Sequence, residues 1–235
     1  MKNKKGHAEK VESFFNSLSM EWERNYEADG IMAERAGRFT GALTERLPSG
    51  SLVLDFGCGS GDLTNCLLEA GFQMHGYDLS EMMIKRARER YESSGIIFTC
   101  SGADFTQKLP YDDGTFDAVT ASSVFEYIED PVSYFKEIFR LLKPGGFFIL
   151  TVPDNRHTER IKEKKKVKFY NKKIISYFIK FLPDIITKRL NTDFYRISKT
   201  RPEIETWVEM LRLCGFTVES VPQCYAPLVL LVATC

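Results

Sequence analysis

The chain has 235 residues, with 43% hydrophobic and 13% aromatic residues, which suits one domain with additions around a sizeable core. Lys plus Arg equals Asp plus Glu at 32 each, so the formal net charge is zero; that removes a global electrostatic case for a nucleic-acid binder, and no nucleic-acid partner is expected. The basic start Met1-Lys2-Asn3-Lys4-Lys5 is not followed by the apolar run of a secretory signal, and no stretch reaches the roughly 18 apolar residues of a membrane span, so a cytoplasmic protein is expected.

Residues 8–28 read as a helix carrying Phe14, Phe15, Trp22 and Tyr26; Phe15, Trp22 and Tyr26 fall on one helical face. Asp29-Gly30 ends it, and a second helix over 31–46 stops at Pro48-Ser49-Gly50. The chain then alternates. Strands are expected at 51–56, 72–77 leading into Asp78, 96–100, 116–121 and 147–152 after Gly145-Gly146. Helices are expected at 61–70, at 81–92 with Ser80 as cap, and at 131–142. Residues 155–200 break the rhythm with a basic run and then an aromatic, apolar stretch. After Pro202 comes a helix ending near Gly215, then runs 216–221 and 226–234 that read as an antiparallel hairpin at the sheet's edge. This alternation implies an α/β fold, doubly wound around a mostly parallel sheet. It divides into an N-terminal helical cap (1–48), a core (49–154), an insertion (155–200), and a C-terminal helix and hairpin (201–235) that complete the core.

The chemistry is carried by Val53-Leu54-Asp55-Phe56-Gly57-Cys58-Gly59-Ser60-Gly61-Asp62, between a strand and a helix. Glycine permits a tight turn and the close approach of a ligand. The spacing is GxGxG, whereas dinucleotide folds use GxGxxG around a pyrophosphate. Asp78 ends the second strand 17 residues after Gly61, placed to accept from both hydroxyls of a ribose. Gly102-Ala103-Asp104-Phe105 follows the third strand; Asp104 can accept from an adenine amine, with Phe105 beside the ring.

With VLDFGCGSG, GYDLS followed by Met82-Met83-Ile84, GADF, FDAVTASSVFEYIEDP, LLKPGGFFILTVP and LCGFTVES in order, the sequence resembles the class I S-adenosylmethionine-dependent methyltransferases, nearest to those acting on small molecules, including quinone biosynthesis. The resemblance covers residues 52–152 well. It implies a Rossmann-like, seven-stranded sheet with an antiparallel last strand, S-adenosylmethionine as cofactor, S-adenosylhomocysteine as product, and a small-molecule or lipid-like acceptor methylated on oxygen or nitrogen. It further implies that Gly57, Cys58, Gly59 and Gly61 line the methionine part of the cofactor, with Asp55 anchoring the turn. Asp78 would hold the ribose, Leu79 and Met83 would pack near the adenine, and Asp104 and Phe105 would recognise it. The backbone around Ser122 would meet the ammonium. Each role has a plainer rival: Asp55 bonding its own turn, and Met83 filling the core.

Tyr26 in the cap is a candidate for the methionine end, and Arg35 or Arg38 for its carboxylate. The family's fourth-strand motif often continues Glu-His; here the pair is Glu126-Tyr127. A phenol with an ordinary pKa of about 10 is no simple replacement for a histidine base, so Tyr127 is expected to orient the acceptor or close the methyl channel. His157, after the fifth strand, is the candidate base. His75 reads as structural and His7 as part of a mobile end. That substitution keeps open a non-catalytic, cofactor-binding regulator on the same fold.

Residues 156–173 hold nine Lys or Arg against two Glu. Over 156–190 this segment reads as a solvated helix with a lid, as a peripheral contact with anionic membrane, or as a dock for an acidic partner or anionic substrate. The six cysteines form no CxxC pair; reduced core thiols and no metal site are expected.

Overall fold

A computed structural model describes residues 2–20, 22, 31–102, 108–170, 197–219, 223–225 and 227–235. Helices α1 (Lys2–Leu18) and α2 (Ile31–Thr44) precede β1 (Leu52–Phe56). There follow α3 (Asp62–Glu69), β2 (Gln73–Asp78), α4 (Glu81–Arg90), β3 (Ile97–Cys100) and β4 (Phe116–Ser122). A short 3-10 turn (Phe125–Tyr127) leads to α5 (Pro131–Leu141), β5 (Leu142–Pro153) and α6 (Thr158–Tyr170). The chain closes with α7 (Ile204–Leu213), β6 (Thr217–Val218), β7 (Gln223–Tyr225) and β8 (Leu228–Thr234).

The sheet runs β3-β2-β1-β4-β5-β8, with β6 and β7 both on the outer side of β8. Eight segments therefore fill seven positions. β1 to β5 are parallel and β8 is antiparallel to β5. The chain builds outward from β1 to β3 and then returns to lay β4 against the free edge of β1. That reversal opens a crevice beyond the carboxyl ends of β1 and β4, where ligands bind in such sheets.

Strand alternation builds two apolar layers. Leu54, Val119, Phe148, Leu150, Val229 and Leu231 face one side, against Phe135 and Ile138 of α5 and Trp207 and Leu211 of α7. Their neighbours Val53, Ala118, Ile149, Leu230 and Val232 face the other, against Phe39 and Leu43 of α2 and Leu63 and Leu67 of α3.

The expected elements form, with several differences. The first helix spans Lys2–Leu18 and gives way to a turn at 19–20 inside the expected 8–28, and Gln223–Tyr225, expected as the link of the C-terminal hairpin, is the strand β7. β5 begins at Leu142, earlier than expected, because Leu142 already pairs with Phe116 before a register shift. The chain passes so close to β4 there that a Cβ on Gly146 would stand 3.0 Å from the Asp117 carbonyl oxygen. A further difference is His7. It is not in a loose end but lies on α1, buried, with its Nε2 3.0 Å from the Tyr127 carbonyl oxygen. The aromatic, apolar part of the insertion, including Pro183, lies outside the described residues. Among the described residues, no helix is long and apolar enough to cross a membrane.

Candidate functional site

All three glycines of the turn sit at positive φ: 76° at Gly57, 55° at Gly59 and 84° at Gly61. That backbone region favours glycine by about 1 kcal/mol or more over residues with a Cβ. Each glycine then has its own surroundings. A Cβ on Gly57 would stand 2.4 Å from Val124 Cγ2, and one on Gly61 would press on Phe98 and Tyr91 at 3.0 and 3.1 Å. Among the described residues, a Cβ on Gly59 would meet only Trp22 Nε1, at 3.8 Å. Gly57 and Gly61 are thus fixed by packing within the protein, whereas Gly59 presents an open side toward the N-terminal cap.

The turn is held to β2. The amides of Gly57 and Cys58 donate to the Tyr77 carbonyl at 2.6 and 3.1 Å, and the Gly59 amide donates to Asp78 Oδ2 at 2.9 Å. Asp78 Oδ1 accepts from the Ser80 amide at 2.8 Å. Asp78 is buried, which pushes its carboxyl up, while these amide bonds pull it back toward the charged form. Ser80 caps α4 through the Met83 amide, as the sequence suggested, and its hydroxyl reaches Asn16 of α1 at 2.6 Å. The cap is thereby tied directly to the residue pair beside Asp78. Asp62 forms an ion pair with Arg90 of α4 at 2.7 Å and accepts from the Ser60 hydroxyl at 2.6 Å, closing the turn from its other end.

Asp55 points into the sheet. Its two oxygens accept from Thr64 of α3 at 2.7 Å and Thr120 of β4 at 3.0 Å, so it joins β1, α3 and β4. Burial pushes its pKa up to about 6, against the two threonine bonds. With the folded value above the ordinary 3.8, the folded state holds this proton more tightly. Asp55 therefore contributes stability that is full at low pH and lost as pH rises through about 6, by roughly 3 kcal/mol at most. Asp55→Asn should remove this dependence. Relative to wild type, the variant is expected to gain roughly 1–3 kcal/mol of unfolding free energy between pH 4 and pH 7.5 in urea titrations. A difference that stays constant with pH would contradict it.

Cys58 is buried against Ile84, Ala87 and Phe98, and that burial raises its thiol well above the ordinary range. Its side chain belongs to the packing under the turn. Met83 is also fully buried, while Leu79 is half-buried. Ser122 ends β4 and is partly exposed. Its neighbour Ser123 has φ 57°, the one non-glycine at positive φ among the described residues, and its amide donates to the Thr151 hydroxyl at 2.9 Å. Strained backbone of this kind concentrates at functional sites, and no sequence signal marks it. Val124 then packs onto Gly57, so the two walls of the crevice touch.

Tyr127 lies beneath the cap, edge-on to Phe15 at 5.2 Å, with Phe15 in turn 5.9 Å from Trp22. Desolvation pushes its phenol well above the usual range, so it stays a protonated donor at neutral pH. Glu126 has a role that the sequence does not signal. It is buried, paired with Arg201 at 3.2 Å, and accepts from Ser198 at 3.0 Å. His157 sits at the start of α6, where its Nδ1 accepts from the Glu159 amide at 3.3 Å. Asp104, Phe105 and Tyr26 lie outside the described residues.

Residues 54–150 match the family model described as "Methyltransferase domain". The matched stretch contains the glycine turn, Asp78 and Ser122, so this part of the chain is similar to methyltransferase domains. The methyltransferases that the sequence resembles use S-adenosylmethionine, and the open side of Gly59 beside the Asp78 carboxylate suits a ligand bearing a ribose. Among curated proteins similar to this chain, a ubiquinone biosynthesis O-methyltransferase of Methylococcus capsulatus is 30% identical over 60% of this chain and 59% of its own length. A demethylmenaquinone methyltransferase of Lactococcus lactis is 27% identical over 90% of this chain and 84% of its own. The chain thus spans 59% of the first relative's length. A solved structure described as the complex between the Haloferax volcanii Trm112 methyltransferase activator and the putative methyltransferase shares the fold: TM-score 0.69 at 21% identity, covering 95% of this chain and 96% of that one.

Proposed function

We propose that this protein transfers a methyl group from S-adenosylmethionine to an oxygen or nitrogen of a small or lipid-like molecule, releasing S-adenosylhomocysteine. The observation that carries this reading is the crevice between the glycine turn and Ser123-Val124, with Gly59 open to the cap and Asp78 fastened to the turn. The quinone-biosynthesis names of the two relatives support a small, ring-bearing acceptor.

When bound, the cofactor supplies a methyl carbon already activated by a positively charged sulfur. The tasks left to the chain are positioning and exclusion of water. In this reading Gly57, Cys58, Gly59, Gly61 and Ser122 contribute backbone to the methionine end, with Tyr26 a further candidate for it. Asp78 takes the ribose through its remaining lone pairs, and Leu79, Met83, Asp104 and Phe105 form the adenine side. Asp55 acts at one remove, by fixing β1 against β4. Tyr127 donates a hydrogen bond that orients the acceptor. His157 remains the candidate base, yet an Nδ1 that accepts from the Glu159 amide leaves the proton on Nε2. It would take a proton only after giving up that bond. The exposed lysines of α6, such as Lys162, Lys164 and Lys165, suit contact with an anionic surface through residues 156–190, either a membrane or an acidic partner.

The test is transfer of label from methyl-labelled S-adenosylmethionine into separated fractions of a cell extract. Label is expected in small, solvent-extractable molecules. Label confined to protein or nucleic acid, or no S-adenosylhomocysteine formed at all, would reject the proposal.

A further inference from the structure

Helix α1 belongs to neither apolar layer of the core. Its buried apolar residues among those described are Ala8 and Val11, and neither joins a core cluster. Instead α1 is fastened at two points. Near its start, His7 Nε2 donates to the Tyr127 carbonyl oxygen at 3.0 Å, beyond β4. Near its end, Asn16 Oδ1 accepts from the Ser80 hydroxyl at 2.6 Å and from the Met82 amide at 3.2 Å, beyond β2. Phe15, beside Asn16, stands edge-on to the Tyr127 ring.

The two fastenings straddle the crevice. β2 and β4 lie two positions apart in the sheet with β1 between them, about 10 Å. His7 and Asn16 stand nine residues apart on α1, about 13 Å along a helix. The helix therefore crosses over the end of β1, where the glycine turn begins. Just beyond α1 the chain brings Trp22 Nε1 to 3.8 Å from the Cβ position of Gly59.

The Asn16 end meets the corner that holds Asp78. The Ser80 hydroxyl accepts from the Met83 amide at 3.1 Å and gives its one hydrogen to Asn16. The Ser80 amide donates to Asp78 Oδ1. One side-chain oxygen of α1 is thus joined to Asp78 through a single residue. Beside it a cavity of about 480 Å3 opens between the helices, lined by Glu12 of α1 and by Ile84 and Arg88 of α4. A helix held by few apolar contacts and a few hydrogen bonds is among the first elements to open locally.

We propose that Asn16 is a positioning residue for the cofactor: it latches α1 over Asp78 and Gly59, and release of this latch sets the rate at which the cofactor leaves. The inference rests on the methyltransferase reading and adds to it the step that controls cofactor exchange.

The experiment is stopped-flow displacement of S-adenosylhomocysteine from the full chain, on wild type, Asn16→Ala and Asn16→Asp, each at a temperature where it is folded. Asn16→Ala should release the ligand about fivefold faster or more, with association changed by less than about twofold. Asn16→Asp keeps an acceptor for the Ser80 hydroxyl and the Met82 amide at the start of α4, where negative charge is favoured, so its release rate should lie within about twofold of wild type. Unchanged release from Asn16→Ala, or equal acceleration in Asn16→Asp, overturns the proposal. If wild type binds no S-adenosylhomocysteine, the methyltransferase reading fails, and amide exchange of the free protein decides the latch. Faster exchange over α1 in Asn16→Ala, with β5 and β8 unchanged, supports it; unchanged exchange over α1 overturns it.

Discussion

Arg201→Met is expected to lower the melting temperature by roughly 10 °C, equivalent to about 3 kcal/mol in a domain of this size. Arg201 is the charged partner of Glu126, whose side chain is 3% exposed. Among the described residues, the substitution leaves that buried carboxylate with the Ser198 hydroxyl as its side-chain hydrogen bond. Ser198 and Glu126 are 72 residues apart, and the neighbouring Arg201–Glu126 pair fastens the end of the insertion to the turn beside Tyr127. Loss of the pair should therefore also loosen residues 198–201, read as faster amide exchange there. Glu126→Gln/Arg201→Met removes both charges and should recover most of the lost stability, because the penalty comes from the unpaired charge and not from the missing attraction. A melting temperature for Arg201→Met within about 2 °C of wild type would reject the buried-pair account.

The second large effect is expected at the turn. Gly57→Ala combines a left-handed backbone with a Cβ 2.4 Å from Val124 Cγ2, together about 3 kcal/mol. Because the clash is with the other wall of the crevice, cofactor affinity should fall as well. Gly57→Ala/Val124→Ala removes the closest contact, leaving the Val124 Cβ at 3.3 Å, and should restore part of the stability. Gly59→Ala separates the two effects. Its strain alone costs about 1 kcal/mol, yet its methyl enters the open side, so binding should drop far more than stability. Equal stability losses at both positions, measured by urea unfolding, would contradict these different roles.

Much of this architecture was legible from the sequence. Strand–helix alternation and the glycine spacing are local signals, and both placed the turn correctly. The cap of α4 by Ser80 and the pairing of β6 with β8 followed from equally local patterns, whereas Gln223–Tyr225, read as the link of that hairpin, is itself a strand on β8. What was missed depends on distant partners. His7 is buried because its ring meets a carbonyl 120 residues away, which the loose-looking basic terminus hides. Glu126 becomes a structural anchor only once residues 198–201 return to it. Asp55 was expected at the turn, but two threonines, on α3 and β4, claim both its oxygens. The Thr64 partner lies nine residues on, two turns of chain that no motif links to it. Ser123 carries no compositional mark of its left-handed backbone; the constraint comes from Thr151 on β5. In each case the deciding contact crosses between elements, so local periodicity had nothing to show.

The central claim is that the glycine turn and Asp78 together bind S-adenosylmethionine. Calorimetric titration with S-adenosylhomocysteine tests it directly, on wild type and on Asp78→Ala. Wild type should bind at micromolar concentration. Asp78→Ala should bind at least about tenfold more weakly, as for loss of a hydrogen-bonded charge worth about 1.5–3 kcal/mol, while remaining folded at the titration temperature. No binding by wild type at millimolar S-adenosylhomocysteine, or equal affinity in the folded Asp78→Ala protein, would contradict the account.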